Sequence, residues 1–189
     1  FVTTTITSAF SFIFAYRAQV QRQELKRLAT TDSLTGASNR RTLNEQLSVA
    51  INQFAKTGRQ YGLILLDLDH FKQINDVHGH KVGDKMLIEL VPVLQSMLRQ
   101  NDQVFRFGGE EFVVLVADVK ASDLIKLAEK LRSGVQQGLK LPDSSALTTS
   151  IGVALLQPDE DWEAWLHRAD MALYQAKHDG RNRVVAAAA

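Results

Sequence analysis

The sequence predicts an α+β domain, with a mixed central sheet covered by helices. Three observations carry this expectation. Strand-like and helix-like hydrophobic patterns alternate from about residue 31 onward. One strand-like run, Tyr61–Leu68, is apolar almost throughout, as a strand covered on both faces should be. Two further strand-like runs flank Gly108-Gly109, which reads as a tight hairpin.

The elements follow in order. Phe1–Tyr16 carries no charge and ends at Arg17. The run is shorter than the ~20 residues that span a bilayer. It has neither Met nor a basic leading region, so it does not read as a signal peptide. Two readings of 1–16 stay open. One is the tail of a transmembrane helix, followed by cytoplasmic positive charge at Arg17, Arg22, Lys26 and Arg27. The other is an apolar segment packed on the domain or on a partner chain. In the following linker, 17–31, a helix is expected. Phe14, Ala18, Gln21, Leu25 and Leu28 make a short a/d seam that would pack on its own domain or on a second copy.

Asn39 can cap a helix over Arg40–Lys56, with an apolar stripe of Leu43, Leu47, Ala50, Ile51 and Phe54 and Gly58 as its stop. After the Tyr61–Leu68 strand comes a helical pattern over Val82–Leu98, which Pro92 should kink or shift. Gln103–Phe107 and Glu111–Ala117 form the hairpin strands. Ser122–Gln137 reads as a helix, Leu147–Leu155 as a strand, Trp162–Lys177 as a helix and Arg183–Val185 as a short last strand. The globular domain is therefore expected over 32–185, with 186–189 as a tail.

Composition narrows the function classes. A chain of 189 residues, 45% hydrophobic and 23% charged, can bury one ordinary core, which excludes disordered and collagen-like classes. The absence of cysteine excludes disulfides, thiolate zinc sites and cysteine nucleophiles. Lys and Arg total 22 against 21 acids. With no basic stripe carrying aromatics, nucleic acid is not the expected substrate. Residues 61–189 are net acidic, and Asp67, Asp69, Asp76 and Asp84 crowd into one short stretch. Carboxylates so placed form a solvated acidic surface or share a cation.

Asp67 closes the most apolar strand, where a carboxylate is costly unless paired, hydrogen-bonded or metal-bound. Asp69 would share its face if the strand continued. Glu110 and Glu111 stand at the hairpin tip beside two glycines that let a ligand approach the backbone. If the two strands are neighbours, these acids converge into an oxygen-rich set suited to Mg²⁺. If not, the glutamates are solvated. His78 and His80 have metal-like spacing without an evident third ligand, and His80 reads as a loop residue. Trp162 and Trp165 read as packing.

These residues resemble the GGDEF-domain diguanylate cyclases, over about Asp32–Arg183. Gly108-Gly109-Glu110-Glu111-Phe112 is the GGEEF form of the signature. Asp32-Ser33-Leu34-Thr35-Gly36 with Asn39-Arg40 resembles the family's D-x-L-T-G-x-x-N-R motif, with Ala37 standing where Leu is common. Asp67-Leu68-Asp69-His70-Phe71-Lys72, Asn75-Asp76, Gly79-His80 and Gly83-Asp84 resemble its second block. Thr149–Gly152, Ala169-Asp170, Tyr174–Lys177 and Gly180–Asn182 resemble its C-terminal motifs.

The resemblance implies a palm-like nucleotidyl cyclase fold with the GGEEF hairpin, behind an N-terminal signalling helix. It implies condensation of two GTP into cyclic di-GMP across a homodimer. Two Mg²⁺ ions, with Mn²⁺ as a substitute, would be held by Asp67, the Leu68 carbonyl, Glu110 and Glu111, and either glutamate could take the 3′-hydroxyl proton. Lys72, Lys177 and Arg181 would hold phosphates, Gly108 and Gly109 would admit the nucleotide, and Asn75 and Asp84 would read guanine. Asp69 matches the motif and is less secure as a ligand. Arg99 and Asp102 match an inhibitory site for cyclic di-GMP. The resemblance further implies a cytoplasmic domain of an inner-membrane-anchored bacterial protein whose sensor lies upstream. Two alternatives remain: a catalytically silent domain sensing cyclic di-GMP or GTP, and a related cyclase making a different dinucleotide.

Overall fold

The computed structural model describes residues 16–22 and 29–188. The expected membrane tail, apart from Tyr16, and most of the a/d seam lie outside the described residues. Residues 16–22 are helical and exposed. Among the described residues no helix is long and apolar enough to cross a membrane.

The chain forms β1 (Ser38–Asn39), α1 (Arg40–Thr57), β2 (Tyr61–Leu68), α2 (Phe71–His78), α3 (His80–Met97), β3 (Gln103–Arg106), β4 (Glu111–Ala117), α4 (Ala121–Gly138), β5 (Thr149–Leu155), α5 (Trp162–His178) and β6 (Val184–Ala186). The sheet order is β1-β3-β4-β2-β5-β6. β2 is central and antiparallel to both β4 and β5, whereas β1–β3 and β5–β6 are parallel. The sheet is mixed, as expected.

Side-chain alternation divides the core into two layers. Ile64, Leu66 and Leu68 of β2 pack with Phe112, Val114 and Val116 against α2, α3 and α4. Leu63 and Leu65 pack with Val113 and Leu115 against Leu43 and Leu47 of α1 and Trp165, Ala169 and Leu173 of α5. Both faces of β2 are thus covered, and all eight of its residues are buried. Trp165 is a packing residue whose indole N–H donates to the Ala154 carbonyl at 3.0 Å. Ala37 is buried in the first layer and fills its place without a larger side chain.

Local signals explain the boundaries. The Asn39 side chain accepts from the Thr42 N–H and caps α1, and Gly58 ends it with φ 70°. Asp161 caps α5 in the same way. α3 runs through Pro92 without ending there. Pro92 and Ile88 lie on its solvent face, where water can serve the carbonyl that proline leaves unpaired. α2 is an element the hydrophobic pattern does not announce, and its eight residues carry few apolar positions. Gly79, with φ 85°, separates it from α3, so His80 begins a helix instead of lying in a loop. The hairpin is wider than a two-residue turn. Its last pair is Arg106 with Phe112, and Phe107, Gly108, Gly109 and Glu110 form the loop between the strands.

Candidate active site

The register of the sheet brings the acids together. Asp67 is directly paired with Glu111 across β2 and β4, so their side chains share a face. Leu68 N–H approaches the Glu110 carbonyl at 3.4 Å. The hairpin tip therefore lies beside the end of β2. Gly108 faces the Glu111 carboxylate so closely that a Cβ there would lie 2.5 Å from its Oε2.

Asp67 has the parity of Leu63 and Leu65 and points to the α5 layer. That is why Lys177, near the end of α5, reaches it, with Nζ 2.8 Å from Oδ2. Asp67 is only 7% exposed. Its carboxyl is pushed up to about 6, chiefly by burial, with Glu110 and Glu111 adding to the rise and Lys177 opposing it. The end of β2 is thus a carboxylate site that needs positive charge. Gly152 of β5 lets α5 come this near, because a Cβ there would lie 2.1 Å from the Ala169 carbonyl oxygen.

A second group lies on α2 and α3. The Asn75 side chain packs against Gly83, where a Cβ would clash with its Oδ1. That Oδ1 is buried without a hydrogen-bond partner. Asp84, next to Gly83, is exposed, as is Lys72 on the first turn of α2.

Asp69 departs from its neighbour. β2 ends at Leu68, and Asp69 turns toward β5, where it is buried and accepts from Thr148, Ser150 and the Asn182 N–H. The last of these bonds ties the turn bearing Arg181 to the end of β2. Arg181 itself is exposed.

Arg106 is a residue that motif reading passed over. Its guanidinium donates to the carbonyls of Gly108 and Gly109, and Nη1 lies 2.9 Å from Asp32 Oδ1. Asp32 also accepts from the Thr35 N–H and hydroxyl. Burial pushes the Asp32 carboxyl up, but the bonds from Arg106 and Thr35 outweigh it and hold the group below the usual carboxylate range. An arginine two residues before the Gly-Gly pair was the available signal.

Arg99 and Asp102 stand apart from this cluster, at the turn between α3 and β3. The Asp102 carboxylate accepts from the Arg99 N–H at 2.9 Å. Beside them lies a cavity of about 340 Å³ that Gly36, Ala37 and Ser38 help to line.

Among the described residues no three carboxylates or imidazoles converge closely enough to cage a metal ion by themselves. Asp67, the Leu68 carbonyl, Glu110 and Glu111 nevertheless offer oxygen donors around a buried carboxylate whose ionisation demands a cation. That chemistry fits Mg²⁺, which completes its shell with waters and ligand phosphates.

Comparison with known proteins agrees with this architecture. The family profile described as "Diguanylate cyclase, GGDEF domain" matches residues 29–183. Diguanylate cyclase DgcM of Escherichia coli K12 is 40% identical over 165 residues, covering 87% of this chain and 40% of DgcM. Response regulator PleD of Caulobacter vibrioides is 42% identical over 170 residues, covering 86% of this chain and 37% of PleD. The chain thus spans less than half the length of either relative. The coiled coil and GGDEF domain of DgcB from Caulobacter crescentus, solved with c-di-GMP, superposes with a TM-score of 0.87 at 33% identity, covering 95% of this chain and 96% of that one. The active GGEEF domain of a Vibrio cholerae diguanylate cyclase superposes with a TM-score of 0.76 at 31% identity, covering 80% of this chain and 97% of that one.

Proposed function

The chain belongs to the GGDEF-domain family of diguanylate cyclases, and from that premise we propose that it condenses two GTP into cyclic di-GMP and two pyrophosphates. The observation that carries the proposal is the pairing of Asp67 with Glu111 across the sheet, with Lys177 at 2.8 Å from Asp67. Each copy holds one GTP, and two copies face each other about a two-fold axis. In each half-reaction the 3′-oxygen of one GTP bonds to the α-phosphorus of the other. The bond from that phosphorus to the pyrophosphate oxygen breaks, and the hydroxyl proton passes to Glu110 or Glu111.

Mg²⁺, with Mn²⁺ as a substitute, held as two ions by Asp67, the Leu68 carbonyl, Glu110 and Glu111, would neutralise phosphate charge and acidify the attacking hydroxyl. Lys72, Lys177 and Arg181 hold the phosphates, and Lys177 balances Asp67 until they arrive. Gly108 and Gly109 keep the hairpin backbone open to the nucleotide. Asn75 offers an unpaired oxygen and Asp84 a free carboxylate to guanine N–H donors that adenine lacks, so ATP would leave them unsatisfied.

Arg99 and Asp102, beside their cavity, bind the product and inhibit the enzyme. The helix ahead of the domain brings two copies together on a signal from an upstream sensor. The domain works in the cytoplasm of a bacterium, as part of an inner-membrane-anchored protein. The test is to follow GTP and ATP with Mg²⁺ by phosphorus NMR. One pyrophosphate released per GTP consumed, with ATP untouched, is expected; no pyrophosphate from dimerised, product-free protein would leave the silent-sensor reading instead.

A further inference from the structure

We infer that Asp69, the second carboxylate of Asp67-Leu68-Asp69, is a positioning residue for the turn that presents Arg181, and not a ligand of the metal. Only 4% of Asp69 is exposed. Its Oδ1 accepts from Ser150 Oγ at 2.6 Å, and its Oδ2 from Thr148 Oγ1 at 2.8 Å and the Asn182 N–H at 3.0 Å. Both oxygens are therefore engaged from the β5 side, leaving little capacity for a cation.

The turn it holds is unusual. Gly180, Arg181 and Asn182 have φ of 109°, 61° and 46° in succession. Non-glycine residues keep such a backbone only where their surroundings over-determine it. Four contacts do so here. Asp69 accepts from Asn182 N–H, Arg132 of α4 donates to Asn182 Oδ1 at 2.7 Å, Arg181 N–H donates to Ala176, and Ile151 N–H donates to Arg183. Asp69 is the contact that fastens the turn to the strand end carrying Asp67. Without its acceptor the Asn182 N–H loses its partner, the turn relaxes, and Arg181 loses its fixed departure point beside Lys177. The inference rests on the proposed reading of Arg181 as a phosphate-binding residue.

The test is a double-mutant cycle on the affinity for α,β-methylene GTP with Mg²⁺, measured by calorimetry. Arg181→Ala should weaken binding roughly tenfold, as loss of a charge-assisted contact does. Asp69→Ala, which removes the acceptor, should weaken it severalfold in the wild-type background and not at all in the Arg181→Ala background. Arg132→Met, whose native bonds go to Glu129, Gln136 and Asn182, should behave the same way and decides the matter if Asp69→Ala does not fold. A merely structural role, or metal ligation by Asp69, gives losses that add in full to Arg181→Ala, and that result overturns the inference. Full affinity in Asp69→Ala overturns it alone. Full affinity in Arg181→Ala overturns the phosphate reading and this inference with it.

Discussion

Arg106 Nη1 lies 2.9 Å from Asp32 Oδ1, joining the turn that precedes β1 to the hairpin that carries Glu110 and Glu111. The same guanidinium binds the carbonyls of Gly108 and Gly109, so one side chain fixes both ends of this connection. Just ahead of Asp32, Ala29 and Thr30 accept from Asn39 and Thr42 of the α1 start. Residues 29–32, the start of α1 and the hairpin loop are therefore joined by one chain of hydrogen bonds.

Arg106→Met should loosen the hairpin and leave Asp32 half-buried without its cation. Cyclic di-GMP formation should fall about tenfold or more through misplacement of the glutamates. Unfolding free energy should fall by about 1–3 kcal/mol. Arg106→Lys keeps the charge but not the planar fork, and should lie between. Product chromatography and urea unfolding read the two effects; no change in either would remove Arg106 from the account.

Gly83→Ala tests the guanine reading proposed for Asn75. The added Cβ would lie 1.9 Å from Asn75 Oδ1 and displace that side chain. Alanine suits α3, but the Cβ would also come within 3.1 Å of Phe71 Cζ in the core, so the melting temperature should fall by roughly a few degrees. KM for GTP should rise about tenfold with kcat less affected, since a site built to bond guanine is left unpaired. Steady-state kinetics checks this.

Gly152→Ala tests how α5 is seated. Its Cβ would meet the Ala169 carbonyl at 2.1 Å and the Leu173 nitrogen at 2.3 Å, both backbone atoms that cannot swing away. Destabilisation of about 3 kcal/mol or more is expected. Any folded fraction should also lose the Lys177–Asp67 contact and with it activity. Calorimetric unfolding at wild-type temperature would contradict the packing described.

Asp67 gives a pH dependence of defined sign. Its native carboxyl titrates at about 6 against an ordinary value of 3.8, so the native state binds more protons between those values. The stability linked to this group is fully present below 3.8 and lost as pH rises through about 6. Asp67→Asn cannot ionise. It should gain on the wild type as pH rises from 3.8 to about 6 and hold that gain above, by on the order of 1 kcal/mol. Cation binding has the opposite requirement, so kcat/KM of the wild type should fall on the acid side of about 6. Paired denaturation curves and a pH–rate profile read these two slopes.

Much of this was legible in the sequence for physical reasons. β2 was readable because a doubly covered strand must be apolar on both faces, and α1 because Asn39 and Gly58 punctuate an amphipathic stripe. α2 was not, since eight residues give too few turns for a period to emerge. Motif spacing named Asp67, Glu110 and Glu111, but only the sheet register shows that Asp67 faces Glu111. Asp69 and Asp67 look equivalent in sequence. They differ because β2 ends between them, a boundary that sequence periodicity does not mark. The Arg106–Asp32 pair spans 74 positions, and a contact at that separation leaves no local trace.

The central claim is that Asp67, Glu110 and Glu111 serve turnover of GTP by two facing copies. The most direct measurement is chromatographic identification of nucleotides after the purified chain, freed of bound product and held as a dimer, is incubated with GTP and Mg²⁺. Cyclic di-GMP is expected in the wild type and none in Glu111→Ala of equal stability. Equal product from both, or none from the wild type in that dimer, would contradict that claim.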